Sequence, residues 1–140
     1  MSKKTKTSKR DGQPTDYLSD FAEWPKKWKV VNKDLKIGNG MIESFAVFIK
    51  SLIADGLAKK TIKNHMQNLD LLGAEIIRRL NNGDSSYRKL SSNVLILKYI
   101  DDETGPLLSF WNPNDETELA YHKAFDATCR KLFKFISPPF

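Results

Sequence analysis

The chain has 140 residues, 40% of them apolar and 29% charged, with a formal net charge of +6. That length suits one domain with an appendage, and the composition is that of an ordinary soluble fold. A single cysteine, Cys129, excludes an internal disulfide and fits an intracellular, cytoplasmic setting.

The charge is uneven. Residues 1–36 hold 10 Lys+Arg and 5 Asp+Glu, net +5; residues 37–83 hold 6 and 4, net +2; residues 84–140 hold 7 and 8, net −1. A pI of about 9.4 normally points to nucleic acid. Here the part expected to fold is nearly neutral, so a DNA reading must rest on local clustering. No run of eighteen apolar residues occurs, so no membrane partner is expected. The basic N-terminus lacks the apolar run of a secretory signal.

Residues 1–16 are Lys, Ser, Thr, Gly and Gln with one Pro, and carry no periodicity. They read as a disordered basic tail, either solubilising or adding phosphate contacts. Residues 17–36 differ: Tyr17, Leu18, Phe21, Trp24, Trp28, Val30 and Val31 are too apolar for a free tail. Pro25 stops any helix reaching Trp24. This predicts a helical turn followed by an irregular lead-in lying on a domain that spans residues 37–140. Trp24 and Trp28 are expected to anchor it rather than stack on bases.

A first helix is expected over residues 39–55. Met41, Ile42, Phe45, Phe48, Ile49, Leu52 and Ile53 recur at helical spacing, and Gly56 supplies a left-handed stop. A second runs over 59–81, with Ile62, Met66, Leu69, Gly73, Ile76, Ile77 and Leu80 as its stripe. Gly73 lies within that stripe, where a neighbour can approach closely. Asn81, Asn82 and Gly83 end this helix. A third is expected over 85–100, with Leu90, Val94, Leu95, Leu97 and Ile100 facing the core. A loop with Gly105, Pro106 and Pro113 as breakers spans 101–114, and its Leu107, Leu108, Phe110 and Trp111 must pack somewhere, a short helix being one form. A fourth helix spans 115–136, acidic at its start and basic at its end, with Tyr121, Phe125, Thr128, Leu132 and Phe135 as its stripe. No repeat and no convincing strand appears. The expected fold is all-α, an antiparallel bundle of four main helices with a partly ordered N-terminal extension.

On the second helix, Lys60, Lys63, Asn64 and Gln67 fall within about 100° of one another, opposite the apolar stripe, with Lys59 to one side. Such a face offers ammonium groups for phosphates and amides for an adenine edge. The helix start adds backbone donors. The plainer reading is a solvated polar face. Lys123, Arg130 and Lys134 form a second basic strip on the fourth helix. The strips merge only if those helices are neighbours, which spacing does not decide.

Nothing in the pattern suggests an active site, a metal or a cofactor. One cysteine and the distant His65 and His122 do not make a ligand set. No Gly-rich phosphate loop is present. The Asp101, Asp102 and Glu103 cluster reads as a solvated loop, and Cys129, among apolar and aromatic neighbours, as a core thiol.

Residues 37–136, best over 45–80, resemble the SAM-like N-terminal core-binding domain of tyrosine recombinases, the phage integrases. Phe48, Ile49, Leu52 and Gly56-Leu57 match the family's first-helix pattern. Lys60-Thr61-Ile62, Asn64-His65 and Leu69 match the opening of its second helix, and Arg130, Phe133 and Phe135-Ile136 match the end of its last. The resemblance implies a bundle that grips one side of double-stranded DNA, chiefly through its second and fourth helices. Lys59, Lys60, Thr61, Lys63 and Asn64 become the first candidate contacts, with Gln67 next and then Arg130 and Lys134.

The family's catalytic domain follows this one, and the chain ends at Phe140, so strand cleavage is not expected of it. Ala58 stands where a Ser or Thr usually caps the second helix. The expectation is therefore a non-enzymatic DNA-binding module of a bacterial or mobile-element protein, with a fragment of a longer recombinase as the other origin. The alternative is a protein-interaction or self-associating module that kept the bundle and lost DNA.

Overall fold

A computed structural model describes residues 19–108, 112 and 114–137. The tail at 1–16, together with Tyr17, Leu18, Phe110, Trp111 and Pro113, lies outside the described residues. The fold is an all-α bundle with no strand among those residues. In chain order it has a 3-10 turn Ser19–Glu23, α1 Trp24–Trp28, α2 Asp34–Ala54, α3 Lys59–Leu80, a second 3-10 turn Ser85–Lys89, α4 Ser92–Leu97 and α5 Glu116–Ile136.

The long helices follow the apolar spacing. In α2, Met41, Phe45, Phe48, Ile49 and Leu52 are buried. In α3, all seven residues of the expected stripe are. Each such large side chain contributes about 1.5–3 kcal/mol through burial. By length and composition α2 could cross a membrane, its most apolar window having a mean hydropathy of 1.3. One face of it, with Met41, Phe45, Phe48, Ile49 and Leu52, is buried in the bundle.

The α2–α3 turn is a Schellman motif. Gly56 has φ +81°, its N–H reaches the Ile53 carbonyl, and the Leu57 N–H reaches Leu52 at 3.2 Å. This turn folds α3 back along α2, so the end of α3 returns to the start of α2. There the Asn81 amide donates to Asp34 Oδ2 at 3.1 Å.

Four expectations need correction. Pro25 does not keep the chain irregular: it sits in the first turn of α1, where its missing N–H has no intrahelical role. The first long helix begins at Asp34, not near residue 39, because buried Asp34 accepts the Val30 and Val31 N–H groups and fixes the entry turn. The third helix is not continuous. Leu90 and Ser91 are extended, with ψ 151° and 160°, and separate the 3-10 turn from α4. That step lets Arg88 reach Asp34 while Leu95 and Ile96 enter the core; Val94 points out instead. On α5, Tyr121 and Phe135 are exposed, whereas His122 and Cys129 are buried beside Phe125, Thr128 and Leu132.

The lead-in packs against α2 and α3. Phe21, Trp24 and Trp28 are all buried, and the Trp28 indole lies over Gly73, where any Cβ would overlap the ring. Its Nε1 donates to Asp70 at 2.8 Å, and Lys27 pairs with the same carboxylate. The approach that Gly73 permits is thus made by an indole. The loop after α4 is tied to α3 by Arg79, which donates to the Leu107 carbonyl at 2.8 Å and to buried Glu75 at 2.7 Å. Leu108 is buried while Leu107 is exposed, and neither is helical.

Candidate nucleic-acid interface

α3 begins directly after the Gly56 turn. Ala58 is its N-cap, extended with ψ 147° and making no side-chain cap bond. Lys59, Lys60, Thr61, Lys63, Asn64 and Gln67 are all exposed, while Ile62 and Met66 between them are buried. The first two turns therefore present a polar face carrying several ammonium groups and two amides. No ion pair holds Lys60 or Lys63 among the described residues.

α5 packs against α3. The seam between them is polar: His65 Nδ1 and Thr128 Oγ1 are 2.7 Å apart. Asn68 Nδ2 donates to Thr128 Oγ1 at 2.8 Å and to the Ala124 carbonyl at 3.3 Å. The pairing of 65 with 128 and of 68 with 124 makes the helices antiparallel. The last turns of α5 thus lie beside the first turns of α3. Burial, then the nearby Lys131 ammonium, hold the His65 pKa below its ordinary value. Lys131 is exposed and flanks that seam.

Arg130 is turned elsewhere. Lying about 100° around the helix from Lys131, it donates to the Glu103 carbonyl at 3.1 Å. On the same side, Asp126 accepts the Gly105 N–H at 3.1 Å. Arg130 is exposed but belongs to the wall that holds the 101–105 loop. Lys134 sits between the two directions and is exposed. The expected strip of Lys123, Arg130 and Lys134 therefore does not join α3 as a unit; Lys131, outside that strip, lies near His65 of α3. Lys131 was missed because spacing ranks positions around a helix without saying which flank meets a neighbour.

The other edge of the α3 face is mixed in charge. Lys63 and Gln67 share a concavity of about 480 Å³ with Asp20, Glu23 and Asp70. Asp70 is already engaged by Lys27 and Trp28, whereas Asp20 and Glu23 are exposed. The basic surface is thus bounded by acids toward the lead-in and is open toward α5. Among the described residues, no group of three His, Cys, Asp or Glu could hold a metal ion. Cys129 is buried, and burial, with Asp126 nearby, raises its thiol pKa well above the ordinary value. Comparison with known protein families, curated proteins and solved structures finds no match for this chain.

Proposed function

We propose that this chain binds double-stranded DNA without cutting it, through the first turns of α3 and the last turns of α5. The observation that carries the reading is the antiparallel polar seam, which brings Lys131 close to His65 at the edge of the polar face of α3. The resemblance of residues 37–136 to the integrase core-binding domain, which grips DNA chiefly through its second and fourth helices, supports the same two helices. Lys60, Lys63, Lys131 and Lys134 would sit on phosphates, while Asn64 and Gln67 would approach base edges.

Four phosphate contacts imply a log–log salt slope of about −3.6, a loss of roughly 150-fold between 50 and 200 mM salt. The test is duplex binding by fluorescence anisotropy at both salts, with wild type and Lys60→Glu/Lys63→Glu. Wild type should bind at low salt and the variant much less. No wild-type binding at low salt, or equal binding by the variant, would overturn the proposal.

The second reading is a protein-interaction module. Trp24 and Trp28 cannot serve it, since both are in the core. It is favoured instead by Val47 and Phe135, 55% and 40% exposed, which line one shallow concavity. Concentration-dependent mass abolished by Val47→Asp would support it.

A further inference from the structure

A second cationic surface lies at the opposite end of the bundle. A concavity of about 440 Å³ opens between the start of α2 and the segment leading from the second 3-10 turn into α4. That volume is within the range of small-molecule sites. Lys33 and Lys36 line it from one side, Arg88 and Lys89 from the other, and no Asp or Glu lines it. Ile37, Leu90 and Leu95 add apolar surface, and Gly40, Ser91 and Ser92 complete the lining.

The wall is held by a buried network. Arg88 Nη1 donates to Asp34 Oδ1 at 2.7 Å, and Nη2 donates to the Asn81 side-chain oxygen at 3.0 Å. Asp34, 1% exposed, also accepts the Val30 and Val31 N–H groups at 2.8 and 3.0 Å. The Asp34 carboxylate therefore compensates Arg88. Lys33, Lys36 and Lys89 make no ion pair among the described residues. Three uncompensated ammonium groups around an apolar surface repel one another, and an anion would relieve that repulsion.

We propose that this cleft binds a phosphomonoester carried on an apolar body of up to nucleotide size. A phosphomonoester brings a charge of about −1.5 to −2 at pH 7 and three acceptor oxygens, which suits three lysines better than a single carboxylate does. The apolar surface takes the body. The site is independent of the proposed DNA surface. Because α3 runs back along α2, the length of that 22-residue helix separates the two by roughly 25–30 Å.

The test is titration of the full chain with AMP, adenosine and inorganic phosphate, followed by calorimetry and by amide NMR shifts. AMP should saturate, shift the Ile37, Ser91 and Ser92 signals, and bind at least about tenfold more tightly than adenosine. Lys36→Gln/Lys89→Gln, at two exposed positions, should weaken AMP by about tenfold or more, and Lys60→Glu/Lys63→Glu should leave it unchanged. A 5′-phosphorylated oligonucleotide separates two sources of the phosphate. Binding that needs Lys36 and Lys89 assigns the site to a strand end, and its failure beside AMP binding assigns it to a free ligand. Non-saturating AMP, AMP binding unchanged in Lys36→Gln/Lys89→Gln, or inorganic phosphate as tight as AMP would overturn the proposal.

Discussion

Gly73→Ala sets two physical effects against each other. In the middle of α3, exchange of Gly for Ala favours the helix by about 1 kcal/mol, so local propensity predicts a more stable protein. The packing predicts the reverse. A Cβ at position 73 would overlap Cη2, Cζ2 and Cζ3 of the Trp28 indole, and the helix backbone beneath it cannot yield. Trp28 is 5% exposed and donates to Asp70. Its full ejection forfeits about 3–5 kcal/mol of burial and packing and about 1 kcal/mol for the hydrogen bond. Allowing for partial relief by sliding and for the helix gain, the net loss is about 2–4 kcal/mol. For a chain of this size that lowers Tm by roughly 6–12 °C. Urea and thermal unfolding followed by far-UV circular dichroism would measure it. Trp28→Ala and the double variant complete a cycle, in which the clash term disappears once the indole is gone. Gly73→Ala as stable as wild type, or costs that simply add in the cycle, would refute the packing of the lead-in on α3.

Three further outcomes follow from the polar groups in and beside the core. Arg88→Ala should cost about 3 kcal/mol in urea unfolding, since it strips the charged partner from buried Asp34; a loss below about 1 kcal/mol would mean that the pair is not buried in solution. Burial by itself would raise the Asp34 pKa, but the Val31 and Val30 N–H groups, then Arg88 and Asn81, outweigh it and hold the carboxyl below its ordinary value. Its contribution to stability is therefore complete above the unfolded value and fades as pH falls through the folded one, and Asp34→Asn should flatten that acid limb. His65, whose pKa burial and Lys131 depress, binds its proton less readily folded than unfolded. Stability from this group is complete above the ordinary value of 6.5 and is lost as pH falls from there through the folded value. Lys131→Gln should move the His65 NMR titration upward, and an unmoved titration would separate Lys131 from the α3–α5 seam.

The core of the long helices was legible because it depends on a repeat that the sequence prints directly. Every residue of the α3 stripe from Ile62 to Leu80 is buried, and the Gly56 stop has the positive φ that its residue type favours. The basic face of α3 was legible in the same way, as the complement of that stripe. Where the reading missed, a distant partner overrode local pattern. Asp34 starts α2 early because it binds Val30, Val31, Asn81 and Arg88 together, and the last two lie 47 and 54 residues away. The same Arg88 contact accompanies the break before α4, whose continuous apolar spacing gave no sign of it.

By itself the sequence determined the all-α class, the long amphipathic helices and the core stripes of α2 and α3, because these follow from the helical period and from burial of apolar side chains. Tertiary structure alone decided which faces meet. It chose Lys131 over Arg130 as the cation beside α3, placed an indole rather than a helix over Gly73, and gathered Lys33, Lys36 and Lys89 around one cleft. A helix repeats its pattern within a few residues. Which flank it turns to a neighbour depends on contacts made many residues apart, and no local spacing encodes those.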